Sequence, residues 1–216
     1  MVPTIGRTLK RRFAVPYGCY KLVTGRQSML RQSGWFQSVR ASKPESVDGQ
    51  PVPWMNYSIV EFLSERLDSQ MTLFEYGSGG STRYFAQRVR QVTSVEYDKS
   101  WYDTVAEDLP SNARLIYHPF DNTARYAETI QRQDTRFDVV VVDGQDRVRC
   151  VEQSLPCLTE AGIVLLDDSD RECYRPAFKL LSQRGFRALR IAGLKPASCC
   201  RHESTVFYRP ENCVGL

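Results

Sequence analysis

The amino-acid sequence predicts an α/β protein: one doubly wound, mostly parallel sheet of seven strands, the last antiparallel, with helices on both faces. Three observations predict it. From residue 56 onward, short apolar runs alternate with helical periodicities. The runs finish at Glu75, Glu96, His118, Asp143 and Asp167-Asp168, so polar side chains gather where strands end. The final two runs, 186–192 and 204–208, have no helix between them, which makes the last strand antiparallel to its predecessor.

Residues 1–50 carry weak apolar spacing at 9–13 and 17–23, broken by Pro16 and Gly18, and predict a short helix or two. Residues 42–53 are rich in Pro, Gly and Ser and read as a loop. The chain thus divides into a basic N-terminal extension and linker, 1–50, and a folded domain, 51–216. Ser58 and Glu61 have capping-box spacing, and Ile59, Val60, Leu63 and Leu67 form one apolar stripe. Met71 to Glu75 is the first strand. Gly77-Ser78-Gly79-Gly80 is a tight turn, after which Ser81 or Thr82 caps a helix reaching about Arg90. Val92 to Val95 is a strand, 100–109 a helix capped near Asp98 or Ser100, and 113–118 a strand. A polar helix is predicted from about Asn122 to Gln133. Phe137 to Val142 is apolar except at Asp138, as a central parallel strand buried on both faces must be. Val148, Val151, Leu155 and Leu158 mark a helix that Pro156 bends or ends. Gly162 to Leu166 is the next strand. Ser169 and Glu172 repeat the capping-box spacing before a helix lined by Tyr174, Ala177, Phe178 and Leu181 and stopped by Gly185. A loop, 193–203, joins the last two strands.

Composition narrows the function classes. No run of 18 apolar residues exists, and no apolar segment follows Lys10-Arg11-Arg12, so the expectation is a cytoplasmic protein. The seven cysteines form no Cys-x-x-Cys pair and only two histidines are present, which argues against zinc and for reduced thiols. The net charge of +4 is unevenly placed: residues 1–44 hold nine Lys and Arg and no acid, against 20 basic and 25 acidic residues in the remainder. That arm reads either as a solvated terminus or as a contact for an anionic surface, membrane or nucleic acid.

The turn at 77–80 carries the first chemical signal. Glycine at 77 and 79 permits positive φ and exposes bare backbone to a ligand. The free N–H groups of the following helix attract a carboxylate or phosphate. Glu96, at the end of the second strand, can accept hydrogen bonds from both hydroxyls of a ribose. Together these predict an adenosine-containing cofactor. The Gly-x-Gly-x-x-Gly/Ala spacing of dinucleotide binders is not met, because Thr82 stands sixth.

With Glu75 before the glycines and a β-β step at the end, the chain resembles the Rossmann-like class I S-adenosylmethionine-dependent methyltransferases. Glu75-Tyr76-Gly77-Ser78-Gly79-Gly80-Ser81-Thr82 looks like their first motif, Glu96 like their ribose-binding acid, and 186–192 with 204–208 like their closing hairpin. The likeness covers about residues 56–210. Phe-Glu-Tyr-Gly-Ser-Gly (74–79), Val-Asp-Gly (142–144), Leu-Asp-Asp-Ser-Asp-Arg (166–171) and Pro-Trp-x-x-Tyr (53–57) look, more narrowly, like a poorly characterised bacterial group. The resemblance implies S-adenosylmethionine as cofactor. Gly77 and Gly79 would pack on its methionine part and Glu75 would hold its ammonium. Glu96 would bind its ribose, residues 118–121 would edge its adenine, and Ser78, Ser81 and Thr82 would complete the set. Asp143 would face both sulfonium and acceptor.

Asp143 and Asp167-Asp168 also resemble, by position, the metal ligands of catechol-type O-methyltransferases, although Asp168 stands where Asn is usual. Two expectations follow: a Mg²⁺-assisted site, or a metal-free site with Asp143 or Asp168 as base. His118 and His202 are further base candidates, and Trp54 and Tyr57 candidates for a lid. The expected reaction is methyl transfer to a small-molecule hydroxyl. The alternatives are nucleic-acid methylation gripped by the basic arm and a non-catalytic binding module. Nucleic acid is disfavoured because Val142-Asp143-Gly144-Gln145 replaces the Asn/Asp-Pro-Pro-aromatic motif.

Overall fold

The computed structural model describes residues 13–121 and 124–216. Among the described residues, three short helices come first: α1 (Ala14–Thr24), α2 (Met29–Gln32) and α3 (Trp35–Ala41). Helix α4 (Tyr57–Arg66) then leads into the alternation: β1 (Thr72–Tyr76), α5 (Gly80–Ala86), β2 (Gln91–Glu96), α6 (Lys99–Ala106) and β3 (Ala113–Tyr117). A 3-10 turn (Ala127–Arg132), β4 (Phe137–Val142), α7 (Arg147–Ser154), β5 (Leu158–Leu166), α8 (Arg175–Gln183), β6 (Arg187–Leu194) and β7 (Arg201–Tyr208) complete it.

The seven strands form one sheet in the order β3-β2-β1-β4-β5-β7-β6. Only β7 runs against the rest, pairing antiparallel with both β5 and β6. Alternate residues fill two apolar layers. Phe74, Tyr76, Val140, Val142, Val164 and Leu166 face one side with α7 and α8. Leu73, Val139, Val141, Ile163 and Leu165 face the other with α4 and α5. Every apolar residue of β4 is therefore buried on one face or the other, as its sequence predicts. Strand β1 lies between β2 and β4, so the chain reverses its winding there. A crevice opens at such a switch point, at the carboxyl ends of the strands. Glu75 and Asp143 stand on its two sides.

Several local expectations are corrected. Asn56, not Ser58, caps α4: its Oδ1 accepts from Ile59 N at 3.0 Å, while its Nδ2 donates to Ile191 O and Ser204 Oγ. Helix α5 begins at Gly80 and ends at Ala86, short of Arg90, and Ser81 and Thr82 lie inside its first turn. The predicted helix at 122–133 is a 3-10 turn from Ala127, with its first two residues outside those described. Ala127 and Ile130 are both buried, and 3-10 winding stacks positions i and i+3 on one side. Ser169 caps nothing; its hydroxyl pairs with Thr205 Oγ1 at 2.7 Å.

The closing hairpin is longer than predicted. Gly193 pairs with His202 and Leu194 with Arg201, so the loop shrinks to 195–200. In the sequence Gly193 reads as a turn signal. In the fold it admits the start of α4, because a Cβ there would stand 2.8 Å from Ser58 Oγ.

Candidate functional site

The glycine turn is built around two buried acids. Gly77 has φ +99° and Gly79 φ +144°, conformations that side chains resist. Gly79 N donates to Thr82 Oγ1, and that hydroxyl donates onward to Glu75 Oε2 at 2.8 Å. Ser94 Oγ donates to the same oxygen at 2.8 Å. Glu75 is only 1% exposed. Burial raises its pKa to about 7 against the hydrogen bonds of Ser81, Thr82 and Ser94, with the charge of Glu96 adding to the rise. Thr82, fully buried, therefore acts through Glu75 and does not line the cleft.

Glu96 is fixed by three donors. Tyr97 N and Asp98 N reach Oε1 at 2.9 Å each, and Ser78 Oγ reaches Oε2 at 2.8 Å. With Oε1 filled, Oε2 keeps lone-pair capacity toward the cleft. Asp98 then caps α6 by accepting from Trp101 N. That helix sets Trp101 across the turn: its indole donates to Ser78 O at 2.9 Å, and a Cβ on Gly79 would meet its ring at 3.2 Å.

Glu75, Gly77, Ser78, Ser81, Glu96, Asp143 and Gly144 share one cleft of about 480 Å³ with Tyr97, Trp101 and Arg147. That size suits a small ligand or cofactor. The turn opposite, after β4, needs glycine at 144, because a Cβ would stand 2.1 Å from the Tyr126 hydroxyl. Asp143 meets Arg147 at 2.8 Å, and 29% of its side chain remains exposed. Burial among strand ends and the nearby charge of Asp167 raise its pKa, against the pull of Arg147 and Lys195. Arg147 also donates to Asp167 O at 2.6 Å and Gly144 O at 3.1 Å, locking the ends of β4 and β5 together.

The structure gives Asp168 a different place. It does not line the cleft. It adopts φ +48° after β5 and its carboxylate meets Lys195, Arg171 and His202. Burial would raise its pKa, but the Lys195 hydrogen bond and charge, with Arg171 and Arg147, hold it below the usual range. Lys195 Nζ also donates to Asp167 Oδ2 at 2.7 Å, while Ser204 Oγ holds Oδ1 at 2.6 Å. The ammonium thus sits where the expected Mg²⁺ would. Among the described residues no cluster of three His, Cys, Asp or Glu is arranged to hold a metal, so this donor set does not fit one.

Of the other candidates, His118 is half-buried and its ring Nδ1 pairs with Pro119 O. His202 lies on β7 rather than in a loop and joins Asp168 to Ser198. Trp54 is exposed and Tyr57 half-buried, and neither lines the cleft. Sequence reasoning missed Ser94, Trp101, Arg147 and Lys195. An Asp98 cap already implied a first helical turn beside the glycines, which would have pointed to Trp101. Lys195 left no local signal; only the hairpin pairing brings it to β5.

A family model described as a methyltransferase domain matches residues 74–169, from β1 to just past β5. Solved structures share the fold. A putative O-methyltransferase from Klebsiella pneumoniae aligns over 93% of this chain and 99% of its own, with TM-score 0.59 and 10% identity. An rRNA methylase from Streptococcus thermophilus aligns over 69% and 93%, with TM-score 0.52 and 16% identity. A methyltransferase-like protein from Silicibacter pomeroyi aligns over 74% and 90%, with TM-score 0.50 and 24% identity. No curated protein matches the chain. At these identities the likeness to solved structures is one of fold.

Proposed function

We propose that the chain is a class I S-adenosylmethionine-dependent methyltransferase that methylates a hydroxyl oxygen of a small-molecule acceptor, with Asp143 as the base; the methyltransferase-domain match over residues 74–169 and the shared fold support this reading. The observation that carries this reading is the shared cleft: Glu75 and Glu96 flank the glycine turn on one side and Asp143 faces them from the other. When bound, S-adenosylmethionine supplies a methyl group activated by its sulfonium. Glu75 takes the ammonium, Gly77 and Gly79 let the methionine part approach backbone, and Glu96 Oε2 takes ribose hydroxyls. Trp101 and Tyr97 offer apolar faces beside that acid.

Asp143 is the carboxylate left for the acceptor. With the cofactor bound, its sulfonium would give up the methyl group to the acceptor oxygen and remain as the thioether of S-adenosylhomocysteine, while Asp143 would take the hydroxyl proton. A raised pKa suits a base that must hold that proton. Arg147 holds the carboxylate in place, and positioning supplies much of the rate.

The test has two arms. Calorimetric titration of S-adenosylmethionine should show Glu96→Ala weakening affinity about 10- to 100-fold in a protein that stays folded. A methyl-transfer screen against phenols and sugars should give turnover that Asp143→Asn cuts at least about 100-fold with cofactor affinity unchanged. Unaltered affinity in the first arm removes the cofactor assignment. Unaltered turnover in the second removes Asp143 as base.

A further inference from the structure

Helix α1 is apolar nearly all round, yet none of its residues is buried. Phe13, Tyr17 and Tyr20 follow helical spacing along one stripe and are each 61% exposed; Val15, at 74%, and Leu22 share another side. Lys21 is its only charged residue. A helix with this surface is ordinarily enclosed by something apolar. Eleven residues rise about 16 Å, roughly half a bilayer core, so α1 is too short to span one.

The charge around α1 says what encloses it. Residues 1–44 contain nine Lys and Arg and not one Asp or Glu. Just beyond α1, Arg26, Arg31 and Arg40 line a cleft of about 680 Å³, together with Val23, Phe36 and Val47. Arg31 Nε is tied to Val23 O at 3.1 Å, and its guanidinium lies 5.8 Å from the Phe36 ring. None of these three arginines forms an ion pair among the described residues. An apolar helix rich in tyrosine, beside unpaired arginines and with no acid in the segment, matches the depth profile of an anionic lipid interface. A second copy of the chain would bring two cationic faces together, and a nucleic-acid backbone would leave Val15, Leu22 and Val23 in water.

We propose that residues 13–44 dock the protein on an anionic phospholipid bilayer, with α1 lying in the interface and Arg26, Arg31 and Arg40 taking lipid phosphates. The docked face is mechanically joined to the site. Trp35 Nε1 donates to Ser198 O at 2.8 Å, fixing α3 to the loop that carries Lys195. The chain following α3 reaches the glycine turn, where a Cβ on Gly80 would meet Val52 O at 3.1 Å. Docking therefore anchors the protein through elements that border both the glycine turn and the aspartate cluster. It stands or falls separately from the identity of the acceptor.

The experiment is co-sedimentation of the full chain with vesicles. Vesicles containing about one-third phosphatidylglycerol should bind it, and pure phosphatidylcholine vesicles at least about 10-fold less. Raising salt from about 0.05 to about 0.5 M should weaken binding by a further factor of about 10. Tyr17→Ser/Tyr20→Ser/Leu22→Ser and, separately, Arg26→Glu/Arg31→Glu/Arg40→Glu should each lose at least about 10-fold with the unfolding temperature of the domain unchanged, because none of these side chains enters the core. Absence of binding to phosphatidylglycerol vesicles overturns the proposal. So does binding that neither variant reduces. Self-association abolished by the Tyr17/Tyr20/Leu22 variant, in a protein that ignores vesicles, would assign the face to a second copy. Preference for an RNA oligomer over the vesicles would assign it to nucleic acid.

Discussion

Glu75 is an acid buried beneath the turn it supports, at the wall of the cleft, and under the proposed ammonium contact its titration ties cofactor binding to folding. Its folded pKa of about 7 lies above the ordinary value of 4.5. Below about pH 4.5 both folded and unfolded chains carry the proton, so the group costs nothing. As pH rises to about 7 only the unfolded chain releases it, and folding loses up to about 3 kcal/mol, which is the full cost above that pH. Glu75→Gln should therefore raise the unfolding temperature of the cofactor-free protein at pH 8 and leave it unchanged near pH 5, where the cost is small. The ammonium of S-adenosylmethionine needs the ionised acid, so wild-type affinity should climb about 10-fold between pH 5.5 and 7 while the Gln variant binds weakly and evenly. Parallel wild-type and variant profiles by calorimetry would remove Glu75 from the ammonium site. The acid was legible in the sequence because strand ends collect ligand-binding groups, and β1 ends there. Ser94, which shares its oxygen, was not legible, since inward and outward residues of a doubly covered strand look alike in sequence.

At the scale of elements, the β6–β7 hairpin brings its own cation to the end of β5. The sequence placed one aspartate after β4 and two after β5, and left metal or base as alternatives. Asp167, Asp168 and the capping pattern are local in sequence, but Lys195 arrives from 27 residues past Asp168, across a pairing that only the folded sheet sets. Its ammonium lowers the energy of two buried carboxylates that would otherwise repel. Lys195→Met should leave them unpaired and cost roughly 3–5 kcal/mol of stability, read by thermal or urea unfolding. Millimolar Mg²⁺ should then restore part of that loss in the variant, by taking the vacated place, and should leave the wild type unaffected. Wild-type turnover should be indifferent to chelator. Turnover abolished by chelator and restored by Mg²⁺ would show that Lys195 yields to a metal in the working enzyme.

Across the whole molecule, topology was the most legible property and the N-terminal segment the least. Strand alternation and the missing crossover at the end fix the strand directions, because a parallel pair needs a crossover and a hairpin does not. Insertion of β7 between β5 and β6 then follows from hydrogen bonding that no local pattern encodes. Residues 13–50 gave weak periodicity because α1 through α3 pack little against the sheet, so no core-facing stripe is written into them. The two apolar layers and the residues packed on them begin at Val52. The boundary proposed at residue 51 can be argued from this: a chain of residues 51–216 retains every residue of both layers, the Asn56 cap and the whole cofactor cleft. It loses the Trp35–Ser198 bond and the cover of Ser38 and its neighbours over Tyr57. We expect it to fold cooperatively with an unfolding temperature lower by roughly 3–6 °C, the equivalent of about 1–2 kcal/mol. S-adenosylmethionine should bind within about threefold of the full chain, since 1.4 kcal/mol is a factor of ten and none of the removed residues lines the cleft. An unfolded or cofactor-blind 51–216 chain would make the N-terminal helices part of the catalytic domain itself.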